Sequence, residues 1–140
     1  MTRRPGPRPR GEARAPGATP RDRGSGSVEV VVLLPLVFLL LFAMVQGGLW
    51  FHARAVALAA AQEGARVAAA ENSTAGAGIS AASSFVADAG SGVVLEVAVS
   101  GSRSTTSATV TVTGQAQSLI PFLNPEVAQS ASFPTERITR

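Results

Sequence analysis

Residues 30–45 read VVVLLPLVFLLLFAMV, which is 16 consecutive positions without a charged or polar side chain. The uncharged stretch continues to Phe51, and its 22 residues would cover about 33 Å as a helix. Because the hydrocarbon core of a bilayer is about 30 Å thick, we predict a single transmembrane helix over residues 28–51. Trp50 and Phe51 stand at its far end, where aromatic rings favour the membrane interface.

Two other interpretations of this stretch compete with a transmembrane helix. A buried helix of a soluble protein would need a large apolar partner surface, yet the rest of the chain offers only Phe85, Phe122 and Phe133 as aromatic residues. A cleaved secretory signal would end at the small-residue sites around Ala55. The apolar run exceeds the roughly 7–15 residues of such signals, so a secreted protein cut near Ala55 is kept only as an alternative.

Residues 1–24 precede this stretch and carry most of the positive charge. Seven of the chain's 12 arginines lie in the first 23 positions against two acidic residues, a net charge of +5. Five prolines and four glycines accompany them, so we expect a disordered leader. Basic flanks stay on the cytoplasmic side of a span, which predicts a cytoplasmic amino end. No aromatic residue interleaves with the arginines, and nucleic acid is not an expected partner.

Residues 52–71, HARAVALAAAQEGARVAAAE, contain ten alanines and predict a helical extension of the span into the exterior. Glu63 and Arg66 share a face and are expected to pair weakly. A surface of small residues would let another helix approach closely, unless the alanines merely reflect composition. Its members are Ala57, Ala60, Ala61, Gly64, Ala65 and Ala68.

Residues 72–140 are predicted to form a small extracytoplasmic head. We expect a loop over 72–78 and a short helix over 79–89, with Ile79, Ser83 and Val86 on one side. Two alternating segments, 93–99 and 108–114, predict a β-hairpin with a five- to eight-residue connection, and a weaker third strand follows over 127–133. In the first segment Leu95, Val97 and Val99 would share a face, and in the second Val110 and Val112 would face inward. The fold class is therefore an α+β membrane protein with an antiparallel hairpin or three-stranded sheet, whose thin core needs the 52–71 helix or a partner to cover it.

The residue inventory argues against catalysis. The chain has no cysteine, no tyrosine and one histidine, His52, so we expect no enzyme activity, cofactor or metal site. Glu29 lies directly before the apolar run, and an ionisable residue at a span marks function by default. The plainer interpretation is a first-turn carboxylate that gains about 0.3–1 kcal/mol from the helix dipole.

Four short motifs, three between residues 23 and 35 and one at residues 63–66, occur together in one known family. They are Arg23-Gly24, Val28-Glu29, Leu34-Pro35 and Glu63-Gly64-Ala65-Arg66, with Gln62 where the family has arginine. Over residues 23–70 the chain resembles the TadE-like family of tight-adherence (Flp-type) pilus proteins. A glycine followed four residues later by a glutamate also resembles prepilin-type processing sites, although Val30 stands where many processed pilins have an aromatic residue.

The resemblance implies a non-enzymatic, single-pass membrane protein that acts as a minor pilin or assembly component. Gly24 would precede the bond cut by a prepilin peptidase, Ser25 would become the mature amino terminus, and Glu29 would be an intramembrane assembly carboxylate. Implied partners are the lipid bilayer, other pilin-like subunits or pilus-assembly membrane proteins, and the peptidase. A membrane-tethered binding module is the alternative from another class.

Overall fold

The computed structural model describes residues 25–136, and it describes side chains from Glu29 onward. The elements follow in the order α1 (Ser25–Ala69), α2 (Ala75–Ala89), β1 (Val94–Arg103), β2 (Ser107–Ala116) and β3 (Glu126–Pro134). The predicted α+β class with a three-stranded antiparallel sheet is confirmed. The predicted disordered leader lies outside the described residues.

Helix α1 is 45 residues long, or about 68 Å at the usual rise. Within residues 25–136 it is the one helix long and apolar enough to cross a membrane, and 6% of its most apolar window is buried. That exposure argues against a core helix of a soluble protein, which would hide this surface. The chain divides into two compact units, the first ending at Leu36 and the second beginning at Val37. The division of α1 at residue 51 into membrane and exterior parts stays a prediction.

Helix α2 starts earlier than the sequence suggested, and residues 75–78 are helical rather than part of a loop. Thr74 has an extended backbone, and its hydroxyl accepts a hydrogen bond from the Ala77 N–H at 3.1 Å. This cap satisfies one of the free donors at a helix start, so glycine-rich residues can form the first turn. The buried residues of α2 are Gly78, Ala82 and Val86, whereas Ser83 is exposed.

The three strands form a meander in the order β1-β2-β3, with both pairs antiparallel. The predicted third strand is confirmed, and Val110 and Val112 are fully buried as expected. On the other face, the hydroxyls of Thr109 and Thr111 donate to those of Ser132 and Ser130, both at 3.0 Å. The β1–β2 connection has three residues, 104–106, and is shorter than predicted because both strands extend further toward it.

Strand β1 departs from the predicted alternation. The pairing steps from Leu95–Gln115 to Ala98–Thr113, so β1 carries one extra residue, and Glu96 has a φ of 49°. Such a bulge exchanges the two faces of a strand. Leu95 and Val97 are exposed while Val94 is buried. Leu95 lies opposite Gln115 on the outer face and Val99 lies opposite buried Val112, so the prediction that Leu95, Val97 and Val99 share a face is wrong.

The core lies between the sheet, α2 and the second half of α1, and its buried apolar side chains are all alanine or valine. The small-residue surface of α1 forms much of this core, including Ala57, Ala60, Ala61, Ala65 and Ala68, all with no exposed surface. The extension of the predicted span therefore covers the head's own sheet, as its thin core required.

The carboxyl end of α1 is closed by groups from the sheet. Arg103, the last residue of β1, donates through Nη1 to the carbonyl oxygens of Ala68 and Ala70, the latter at 2.8 Å. The backbone N–H of Glu136 donates to the Ala69 oxygen at 3.0 Å. A helix end leaves its last carbonyls without partners, and here three consecutive ones are satisfied by distant segments.

Candidate assembly site

The amino-terminal part of α1 presents a single carboxylate and a long apolar surface. Helix α1 already includes Ser25, so Glu29 lies beyond the first turn, where the helix dipole has most of its effect. Glu29 is exposed, and so are the large apolar side chains that follow it from Val30 to Val45. Positions 25 and 29 are four apart and so share a side of the helix. Gly24, the residue before the predicted cleavage point, lies outside the described residues.

Pro35 lies inside α1, ten residues after its first described position. A proline has no backbone N–H, so the carbonyl of Val31 loses its usual partner within the helix. The leucine-proline pair of the motif therefore interrupts the hydrogen-bond ladder at one point of the apolar segment. We therefore expect α1 to kink at Pro35.

The second motif segment has two distinct parts. Glu63 and Arg66 form an exposed ion pair, with Arg66 Nη2 at 2.8 Å from Glu63 Oε1 and Arg66 Nε at 3.2 Å from Oε2. The predicted pairing is confirmed, and because it is exposed it contributes at most about 0.2–1 kcal/mol. Gly64 and Ala65, between these two residues, are buried.

Gly64 is buried because α2 passes directly over it. A Cβ atom built on Gly64 would lie 2.6 Å from the Gly78 oxygen and 2.8 Å from the Ala82 Cβ. One built on Gly78 would lie 2.5 Å from the Gly64 oxygen and 2.6 Å from the Ala68 Cβ. The helix that approaches the small-residue surface is thus α2 of the same chain, so this surface is already occupied.

A polar contact that the sequence analysis missed ties α1 to the loop between β2 and β3. Gln46 is 7% exposed, and its Oε1 accepts from the Leu119 N–H at 2.9 Å and from the Ser118 hydroxyl at 3.3 Å. Its Nε2 is buried without a hydrogen-bond partner among the described residues. Gln46 is the one amide side chain between Val30 and Phe51. A single polar residue in an apolar stretch is the sequence feature that could have indicated this contact.

Nothing in the described residues assembles into a catalytic group. His52 is exposed, and residues 25–136 hold no cluster of three or more histidine or acidic side chains placed to bind a metal ion. An open groove of about 610 Å³ is lined in part by Glu71, Asn72 and Arg103. Arg103 is also held by the α1 carbonyls, so its guanidinium is not fully available to a ligand.

Residues 24–66 match the model of a family described as TadE-like protein. The match confirms the resemblance for the apolar segment and for the Glu63–Arg66 motif, and it ends before α2 and the sheet. This family groups Tad pilus-associated membrane proteins of structural character, which supports a membrane location. No curated protein and no solved structure matches the chain at a significant level.

Proposed function

We propose that this protein is a minor pilin or assembly component of a tight-adherence pilus or a related secretion system. The observation that carries the proposal is the exposed apolar length of α1 with one carboxylate, Glu29, at its start. Within residues 25–136 this surface has no partner, so it is available to contact lipid and the equivalent helices of other subunits. The match over residues 24–66 supports the same assignment.

The role proposed for Glu29 follows from the cost of placing a charge in lipid. A carboxylate in an apolar medium must be paired with an opposite charge or be protonated to the neutral acid. Cleavage after Gly24 would create an amine at Ser25. Since Ser25 and Glu29 share one side of the helix, the carboxylate of one subunit is positioned to meet the amine of a neighbour.

The proposed orientation places the amino end in the cytoplasm and the head outside. Seven arginines precede the span in residues 1–23, whereas the residues after position 23 carry five arginines and seven acidic residues. Positive charge is retained on the cytoplasmic side, so this asymmetry favours export of the carboxyl-terminal part.

The amino terminus of protein purified from membranes tests the processing step. A chain that begins at Ser25 supports the pilin route. An intact chain contradicts cleavage and leaves the tethered binding module open. A start near Val56 or Leu58 would indicate secretion, but that cut would fall inside α1 beside buried Ala53 and Ala57 and would remove the Gln46 contact.

The substitution Glu29→Gln tests the carboxylate while keeping the shape of the side chain. We expect the variant to insert into the membrane at normal levels and to be lost from the assembled pilus fraction. Glu71→Gln, at an exposed carboxylate just beyond α1, is the matched control and should assemble normally. Normal assembly of the Glu29→Gln variant would refute the proposed pairing.

A further inference from the structure

The β2–β3 connection, residues 117–125, exposes an unusual amount of apolar surface. Leu119, Ile120 and Leu123 are 49%, 41% and 44% exposed, and Phe122 is fully exposed. Phe122 also has a φ of 69°, a left-handed conformation that is rare for a bulky residue. A strained loop that directs a phenylalanine away from the head indicates an apolar environment outside the protein.

The hydrogen bonds of this loop fix its position along the axis of α1. Its Leu119 N–H and Ser118 hydroxyl both bind the side chain of Gln46. Gln46 lies five residues before Phe51, which is roughly 7.5 Å along a helix axis. The loop therefore lies beside a part of α1 that is itself predicted to be in the membrane.

Two further contacts mark the boundary between lipid and water at the same place. The Trp50 Nε1 donates to the Glu126 carbonyl oxygen at 3.4 Å, where the loop enters β3. The Arg54 guanidinium lies over the Trp50 ring, 5.6 Å from its centre. Tryptophan favours the interface, and an arginine one turn further along α1 belongs on its aqueous side, so the loop lies on the lipid side of Trp50.

We infer that the tip of this loop, Leu119–Leu123, inserts into the headgroup and upper acyl region of the outer leaflet as a second membrane contact of the chain. Interfacial segments bury their apolar side by about 5–10 Å, which agrees with the depth set by Gln46. The occupant is phospholipid rather than a protein groove, because the apolar tip continues the exposed apolar surface of α1. The inference rests on the membrane location of α1 and is independent of any pilin role.

The absence of native cysteine allows a direct test on the full-length protein. Phe122→Cys and Leu119→Cys, each carrying a nitroxide label, are reconstituted in vesicles of phosphatidylcholine and phosphatidylglycerol. Collision of the label with oxygen, which concentrates in lipid, is compared with collision with a water-soluble nickel chelate. Thr105→Cys in the exposed β1–β2 turn is the matched aqueous control, and Phe51→Cys is the reference for the interface.

We expect the oxygen-to-nickel collision ratio to be several-fold higher at positions 119 and 122 than at 105, and at least as high as at 51. A ratio at 122 equal to that at 105 would overturn the inference. So would a label that stays water-accessible in vesicles and becomes protected only when other pilus proteins are added, because the occupant would then be protein. Purified protein without assembly machinery is used, so failure of the Glu29 proposal would leave this result unaffected.

Discussion

Gly64 of α1 and Gly78 of α2 face each other so closely that a Cβ atom on either would lie within 2.6 Å of the other's carbonyl oxygen. The obstructing atoms are these backbone oxygens and the Cβ atoms of Ala82 and Ala68, none of which can rotate aside as the end of a long side chain can. The glycine of the Glu63–Arg66 motif is thus required by contact between two helices of one chain. This explains part of a family motif by packing alone.

The substitution Gly64→Ala should destabilise the head by about 1–3 kcal/mol, the usual cost of overpacking a well-filled core. Thermal unfolding of the full chain in detergent, followed by hydrogen exchange of the β2 amides, measures the change. Gly48→Ala in the same helix is the control, since a Cβ there meets nothing within 4 Å. Alanine favours helix over glycine, so the control should be neutral or slightly stabilising. Equal behaviour of the two variants would contradict the close crossing.

Removal of the Arg103 side chain should weaken the junction between α1 and the sheet. Hydrogen bonds from a charged group contribute about 1.5–3 kcal/mol, so Arg103→Ala should lose stability on that scale and increase hydrogen exchange around residues 66–72. Arg103→Lys should recover part of the loss, because an ammonium keeps the charge but not the planar geometry of two donors. A full recovery by lysine would show that charge alone closes the helix end.

The exposed Glu63–Arg66 pair should matter little to folding. Arg66→Ala should lower the free energy of unfolding by no more than about 1 kcal/mol, as for other exposed pairs. The exchanged pair, Glu63→Arg with Arg66→Glu, would restore the intrahelical attraction while reversing the charges seen by a neighbour. We expect the exchanged protein to fold normally and to assemble poorly, as judged by melting temperature and by recovery in the pilus fraction. Normal assembly would show that the Glu63–Arg66 pair acts only within α1 and not on a neighbouring subunit.

Replacement of Gln46 should release the β2–β3 loop. Gln46→Leu removes the acceptor for the partly buried Leu119 N–H, and a donor left unpaired there costs up to about 1–3 kcal/mol. Hydrogen exchange at the Leu119 amide should become faster while exchange in β2 is unchanged. The control is Gln62→Leu, an exposed position on the same helix that should leave the loop protected. Unchanged exchange at Leu119 would show that the loop is held by other contacts.

The elements that were predicted correctly are those that depend on the pattern of neighbouring residues in the sequence. The apolar run of α1, the alternation of Val110 and Val112 and the existence of β3 all depend on spacing within a few residues. The apolar segment also carries motifs dense enough to indicate a resemblance to the TadE-like family, whose model matches residues 24–66.

The features that escaped prediction depend on conformation or on distant partners. Nothing in the sequence of β1 marks Glu96 as the position that takes a left-handed conformation, so the prediction that Leu95, Val97 and Val99 share a face was wrong. Helix α2 starts earlier than predicted because the hydroxyl of Thr74 caps it. Arg103 and Gln46 act on segments 33 and 73 positions away, and such pairings cannot be deduced from one sequence.

From Glu29 to Glu136 no buried apolar side chain is larger than valine, and this has a calorimetric consequence. Alanine loses no rotamer freedom on burial and valine loses little, so the head is ordered at a low cost in side-chain entropy. The same small side chains expose little new apolar area when the head unfolds. Its heat capacity of unfolding should therefore fall below the usual value of about 12–15 cal/mol/K per residue, giving a stability curve that is shallow and broad across temperature.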